Sequence, residues 1–331
     1  ANGYKYGGKI FERTEAIYEI RKAIQSIEAT VVVPSLPGGE VPEGALMWDR
    51  ALASGDQFAQ GSELAFFQGD FDHPIYILFS SGTTGKPKGI VRENGGHAVA
   101  MLYTMGVVYG MSAGDVWWGI SDVGWVVGHT LIVYGPLMAG CTTIFYEGKP
   151  IRTPDAGAYW RIVEQYRVNA LFCAPTAMRA IRKEDPEGRL LEGRDLSSIR
   201  QLFLAGEKLD SSTHQWLEQL TGKPVLDHWW QTETGWPVTA PCLGLEGHEP
   251  APGSSNRAVP GYAVHVVDEE GRLLKPGEQG SIVIALPLPP GCSQTLWGDH
   301  SRYLQAYLQA YPGYYNTGDG GFIDEQGFVY I

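Results

Sequence analysis

The chain has 331 residues, 44% of them hydrophobic, which is enough for a sizeable core and well beyond the size at which a fold needs disulfide or metal staples. Its 25 basic and 37 acidic residues leave a net charge of −12, and no Lys/Arg cluster of the kind that tracks a phosphate backbone interrupts that balance, which excludes nucleic acid as a partner. Cys141, Cys173, Cys242 and Cys292 form no C-x-x-C pair, so neither a disulfide framework nor a zinc knuckle is implied, and a reducing compartment fits, the cytoplasm or a mitochondrial matrix.

In chain order, residues 12–28 carry Ile17, Ile20, Ile24 and Ile27 at spacings of three and four, which predicts an amphipathic helix. A β-branched strand at 31–33 follows. Short apolar runs recur at 76–79, 116–120, 142–146, 170–174, 201–205 and 225–230, separated by helix-length segments. The uncharged stretch 123–146 is broken by Gly124, Gly128, Gly135, Pro136 and Gly140, so it reads as buried helix and strand rather than a membrane span. Thr153-Pro154-Asp155 predicts a capped helix start, with Tyr159, Ile162, Val163 and Tyr166 as the buried side. This rhythm predicts an α/β fold of helix-covered, mostly parallel strands. After about residue 250 glycine and proline thicken, and strands at 263–268 and 280–286 lie close across turn-rich sequence, which predicts a smaller antiparallel β subdomain at the C-terminal end. The expected divisions are 1–70, 71–250 and 251–331. The chain opens without Met and without a basic-then-apolar leader.

Three segments carry chemistry. Ser80, Ser81, Thr83 and Thr84 offer hydroxyl donors, Gly82 and Gly85 let backbone N–H groups turn inward, and Lys86 and Lys88 add positive charge, together a cradle for polyphosphate. The loop is not G-x-x-x-x-G-K-[ST], because Pro87 follows the first lysine; a plain surface turn is the bland alternative. Next, Asp227-His228-Trp229-Trp230-Gln231-Thr232-Glu233-Thr234-Gly235 begins where a strand ends, the place at which open α/β sheets put their ligand crevice. Glu233 suits a Mg²⁺ that bridges phosphate oxygens, while an aromatic core strand accounts equally well for the tryptophans. Last, Asn316-Thr317-Gly318-Asp319-Gly320 reads as a turn whose carboxylate accepts two hydrogen bonds from a ribose diol, or as an ordinary Asp turn.

In this order the three segments resemble the adenylate-forming family of acyl-CoA synthetases, firefly luciferase and peptide-synthetase adenylation domains. Gly124-Trp125-Val126-Val127-Gly128-His129, Tyr134-Gly135-Pro136-Leu137, Tyr146-Glu147-Gly148, Ala174-Pro175-Thr176-Ala177, Leu204-Ala205-Gly206-Glu207 and Pro287-Leu288-Pro289-Pro290-Gly291-Cys292 are similar to the short-chain, propionyl-CoA synthetase branch. The likeness runs from about Phe71 onward and is weaker before it, where Gly7-Gly8-Lys9-Ile10 also resembles acetoacetyl-CoA synthetases.

The resemblance implies a ligase that joins a short carboxylate to CoA through an acyl-AMP formed from ATP with Mg²⁺. On that basis residues 80–86 hold the pyrophosphate end with Lys88 beside them, Glu233 is the metal ligand, and Thr232, Glu233 and Lys86 are the candidate catalytic residues. Gly206, Glu207, Asp227, His228 and Trp229 wall the adenine, and Asp319 holds the ribose. Trp230 closes the acyl pocket, with Trp125, Val126, Val127 and Ala205 as its other walls, and propionate is favoured. Lys208 and Val127 depart from the usual residues, and the chain is expected to stop before a ribose-binding arginine, a hinge and a lid domain, and to lack the start of the large domain. Weak nucleotide binding by this chain is therefore expected. An acetyl- or acetoacetyl-CoA synthetase, a peptide-synthetase adenylation domain, and a non-catalytic nucleotide-binding module are the alternatives. No membrane partner is expected, and oligomeric state is left open.

Overall fold

Runs such as Val-Trp-Trp-Gly-Ile and Gln-Leu-Phe-Leu do not alternate between apolar and polar, so strands built from them need cover on both faces. The computed structural model, which describes residues 1–6, 8–38, 41–59, 65–81, 86–247 and 249–331, provides that cover. Among the described residues a five-stranded parallel sheet has the spatial order Val225–Asp227, Gln201–Leu204, Ala170–Cys173, Val116–Ile120, Thr142–Thr143. Trp117, Ala170, Phe172, Phe203 and Leu226 enter one core, which also holds Met101, Met105 and Leu131. Their neighbours Trp118, Leu171, Cys173, Leu202, Leu204 and Val225 enter a second core with Tyr159, Trp160, Val163, Met178, Ile181 and Leu217. The period of two along each strand thus separates two apolar layers. Helical segments connect successive strands: residues 126–138, then Ala158–Tyr166, Pro175–Glu184 and Ser211–Thr221. Asp210 caps the last of these by accepting from the Thr213 N–H at 2.9 Å, and Gly222, at φ 64°, closes it.

A four-stranded antiparallel sheet follows in the order Val264–Val267, Gly280–Ala285, Tyr314–Ile323, Val329–Tyr330, as the change of texture after residue 250 predicts. Ser281 faces Gly320 and Val283 faces Asn316, so residues 317–319 crowd opposite Ile282 in a bulge. Asp319 therefore sits on a bulged strand, not in the turn expected from its flanking glycines. Gly318, at φ 77°, supplies the left-handed backbone that the bulge needs.

Other expectations need correction. The 76–79 run lies in Pro74–Ser80, which pairs antiparallel with Lys88–Glu93 and stands outside the parallel sheet. The helix expected from Thr153 starts at Ala158 behind Gly157, with no side-chain cap, and Tyr166 is exposed beside the left-handed Arg167. The 225–230 strand ends at Asp227, because Trp229 turns away to exchange backbone bonds with Thr239. Two compact units are formed, residues 1–68 with 152–155, and residues 69–151 with 156–331. In the first, the predicted helix over 12–28 is confined to Thr14–Ala23, with Ile20 and Ile24 exposed. Its Asn2 side chain bonds Ser35 and Leu36, tying the N-terminal strand to the 31–36 segment. Among the described residues no helix is long and apolar enough to cross a membrane.

Gly119 decides how closely segment 126–138 approaches the sheet. A Cβ there would lie 2.6 Å from the Leu131 carbonyl oxygen, and that same oxygen accepts the Trp117 indole N–H at 2.7 Å. Gly119→Ala is expected to lower stability by about 1–3 kcal/mol through overpacking, read as a lower urea midpoint at unchanged slope; an unchanged midpoint would show that the segment yields freely.

Candidate functional site

Leu204 and Asp227 are register partners at the carboxyl ends of adjacent parallel strands, so the chain leaves the sheet at both places side by side. A cleft of about 620 Å³ opens there, lined by Gly206, Glu207, Lys208, Asp227, His228, Trp229, Trp230, Gln231, Glu233 and Asp319, with Ser255, Gln279 and Tyr330 from the antiparallel region. Three groups of predicted residues, 206–207, 227–231 with 233, and 319, thus meet at one crevice, the position that strand topology dictates, while Thr232 is not among its lining residues.

Backbone constraint builds the 231–235 turn. Arg92, on strand Lys88–Glu93, is fully buried, and its guanidinium donates to the carbonyl oxygens of Thr232 at 2.5 Å, Glu233 at 3.1 Å and Gly291. Thr130 donates to the Gly235 carbonyl at 2.7 Å, and the Ser293 N–H to that of Glu233 at 2.9 Å. Gly235 has φ 75°, and a Cβ there would lie 2.5 Å from the Arg92 guanidinium carbon, so glycine is required on two counts. The turn is held by its main chain and by the Thr234 hydroxyl, which accepts from the Gln231 N–H at 3.0 Å, so the Thr232 and Glu233 side chains are not needed to hold it.

Glu233 Oε1 accepts from the Tyr307 hydroxyl at 2.6 Å and from the Lys88 ammonium at 3.3 Å. Lys88 also donates to Tyr307 at 2.5 Å. Burial and the Glu233 charge raise the Tyr307 hydroxyl far above its ordinary value, so it remains a donor. Asp319 is equally well oriented: Oδ2 accepts from Gln231 Nε2 at 2.7 Å and from the Trp229 indole at 3.1 Å, and Gln231 is itself anchored on the Thr317 carbonyl at 2.7 Å.

Burial pushes the Asp227 carboxyl up to about 7, against the His228 N–H that it accepts at 2.8 Å. The His228 imidazole, 2% exposed, lies among Tyr109, Phe172 and Phe203 beneath the cleft. Burial lowers it to about 3, leaving a neutral ring whose Nε2 is 3.0 Å from the Tyr109 hydroxyl. Glu207 lines the cleft while its carboxylate is bound to Arg179 at 2.7 Å and to the Thr176 N–H at 2.5 Å. Burial opposes its ionisation, but these bonds win and hold its carboxyl below the ordinary value.

Of the phosphate-loop residues, Gly82, Thr83, Thr84 and Gly85 lie outside the described residues. Ser80, Ser81, Lys86 and Lys88 flank them, in a connection between antiparallel strands rather than between strand and helix. The Ser80 hydroxyl is buried without a protein partner, and Ser81 and Lys86 are exposed. Arg302 donates to the carbonyl of Lys86 at 2.7 Å and to that of Pro87 at 3.3 Å, which fixes the loop's exit. Val126, Ala205 and Trp230 share one apolar core, with Val127 packed against it, whereas Trp125 is 68% exposed and stands apart. Among the described residues no three His, Cys, Asp or Glu side chains gather as a metal cage. The single carboxylate of Glu233 fits Mg²⁺, which completes its shell with water and phosphate oxygens.

Sequence reasoning missed Arg92, Arg302 and Tyr307. Arg92 had a signal, a cation directly after Ile90-Val91 in a strand; Tyr307 had none, being one tyrosine among several in 303–315.

Comparison with known proteins gives the family. A family described as AMP-binding enzyme matches residues 10–289. The chain is 68% identical over 298 residues to an uncharacterized protein of Pseudomonas aeruginosa, covering 90% of this chain and 46% of that protein. It is 51% identical over 261 residues to the mitochondrial acyl-CoA synthetase short-chain family member 3 of Mus musculus, covering 78% and 38%. With the propionate–CoA ligase of Salmonella typhimurium it shares 46% over 257 residues, covering 77% and 40%. The acetoacetyl-CoA synthetase structure from Streptomyces lividans superposes with a TM-score of 0.88 at 29% identity, over 100% of this chain and 50% of that one. The chain thus spans less than half the length of these curated relatives. It belongs to the AMP-binding enzyme family, and within that family it is similar to short-chain acyl-CoA synthetases.

Proposed function

We propose that this chain carries the nucleotide and acyl sites of an ATP-dependent acid–thiol ligase that joins a short carboxylate, propionate by preference, to CoA. The observation that carries the reading is the cleft itself, where Glu233, the oriented Asp319 and the apolar Trp230 converge at the carboxyl edge of a parallel sheet. In the first step a carboxylate oxygen attacks the α-phosphorus of ATP, and the bond to pyrophosphate breaks. In the second the thiol of CoA attacks the acyl carbon, loses its proton, and AMP leaves. Asp319 presents a carboxylate fixed by Gln231 and Trp229 to the ribose hydroxyls. Thr232 and Glu233, on a turn locked by Arg92, hold the reacting phosphate in line; positioning and charge neutralisation of this kind supply most of the rate in such reactions. A bound Mg²⁺ neutralises charge on the phosphate oxygens, with Glu233 as its protein ligand. Four free, buried thiols suit a reducing cytoplasm or matrix.

Size selection follows from volume. On this reading Trp230, which is 9% exposed and borders the cleft, closes the acyl site against long chains, and alanine rather than a branched residue at 205, buried in the same core, leaves room for about one extra methylene, worth roughly 1–3 kcal/mol of discrimination.

Three outcomes are expected. With the complete gene product, thioester formation has its highest kcat/KM for propionate among acetate, propionate, butyrate and acetoacetate, and Trp230→Gly moves the optimum to longer acids; a wild-type optimum at acetoacetate would sink the propionate assignment. Glu233→Gln lowers ATP–pyrophosphate exchange about 100-fold or more in a protein of unchanged circular dichroism; near-normal exchange would remove Glu233 from the chemistry. Asp227 gives a pH signature. Its folded value near 7 lies above the unfolded value of 3.8, so its stabilising term is complete below about pH 4 and disappears as pH rises through 7. His97 and His228, lowered by burial to about 3, slope the opposite way, losing stability as pH falls below 6.5. The difference in melting temperature between Asp227→Asn and the parent should therefore grow in the variant's favour from pH 4.5 to 7.5, and a flat difference would contradict the raised carboxyl.

A further inference from the structure

We propose that Lys88 stands in for the divalent cation on Glu233 and is exchanged for it when metal and nucleotide bind, an inference that rests on Glu233 being the metal ligand as proposed above. The Lys88 and Glu233 side chains are only 18% and 13% exposed, and ammonium and hydroxyl both converge on Oε1. The pair solves a problem of the metal-free protein, since a largely buried carboxylate without a cation is costly. A Mg²⁺ ligated by this carboxylate sits about 2.0–2.1 Å from its oxygen. An ammonium left 3.3 Å from Oε1 would then face a dication at close range in a partly dry site, so the two cations exclude one another.

The neighbouring groups show which partner moves. Tyr307 is wedged in place, with its ring stacked on Tyr315 at 5.2 Å and 12° and tilted against Tyr303 at 5.4 Å. It remains on the carboxylate as a fixed donor. Lys88 has a flexible stem and borders a second cavity of about 790 Å³, shared with Asp299, Arg302, Gln305, Asn316 and Thr317. That cavity adjoins the loop exit that Arg302 holds through Lys86 and Pro87. An ammonium released from Glu233 moves toward Arg302, and the two cations there offer a polyphosphate what the carboxylate has given up. Metal and nucleotide thereby assist each other's binding, and metal alone binds more weakly because it must displace an ammonium into a cavity whose one lining carboxylate, Asp299, already accepts from Ser301 and the Arg302 N–H.

The decisive experiment titrates this chain with Mn²⁺ alone, reading free ion by electron spin resonance, and separately with metal-free ATP by calorimetry. Lys88→Met, with Lys88→Gln as a second variant in case the first folds poorly, should bind Mn²⁺ about tenfold more tightly than the parent and metal-free ATP about tenfold more weakly. Glu233→Gln should lose Mn²⁺ binding. Unchanged or weaker Mn²⁺ binding in both Lys88 variants, with loss in Glu233→Gln, overturns the exchange and leaves the metal ligand standing. Undiminished Mn²⁺ binding in Glu233→Gln overturns both.

Discussion

A guanidinium with no exposure to water, whose two terminal nitrogens donate to carbonyl oxygens while its Nε has no partner among the described residues, is the constraint from which the rest of the site follows. Among the described residues no carboxylate pairs with Arg92; its donors go to the backbone of Thr232, Glu233 and Gly291. Removing an arginine from water is expensive, and the cost is tolerable only when nearly every N–H finds an acceptor. Here the acceptors belong to two distant segments, the 231–235 turn and the 287–292 loop. The same cation therefore joins strand Lys88–Glu93, the turn that bears Glu233, and the segment entering the antiparallel region.

Three consequences radiate from that joint. Gly235 has to be glycine, because a Cβ meets the guanidinium. Thr232 and Glu233 have their main chain committed, so their side chains are free of any structural task in the turn. Lys88, four residues before Arg92 on the same strand, is delivered to Glu233 by the same attachment. Charge in this region is consequently paired in a definite order, carbonyls with Arg92 and carboxylate with Lys88. The layout is compatible with a cation and a polyphosphate arriving together, since each arriving charge has a resident counterpart to replace.

The aromatic residues divide the work. Tyr109, Phe172, Phe203 and His228 form a tightly packed floor beneath the cleft, where burial holds the imidazole neutral and inert. Trp229 and Trp230, adjacent in sequence, separate above it: the first spends its indole N–H on Asp319, and the second packs into the apolar core at the cleft wall. One dipeptide thereby serves both the polar and the apolar ends of the crevice.

Much of this was legible in the sequence. Unbroken apolar runs with helix-length spacing demand a sheet covered on both faces, and the glycine-rich later part demands antiparallel strands; in each case the local pattern leaves few ways to bury the side chains. Residues 227–233 and 319 stand out by residue type, whereas 206–207 are picked out only by resemblance to a known family. What sequence could not decide was partnership. The sequence around Asp319 reads as a turn, because glycines mark turns and bulges alike and only pairing across the sheet tells them apart. The 76–79 run was grouped with the parallel strands, since an apolar strand carries no mark of its partner's direction. Arg92, Arg302 and Tyr307 acquire their roles from residues more than 70 positions away in the chain. Propensity and periodicity are local quantities, whereas a buried charge and its acceptors are matched only when the folded chain excludes water between them.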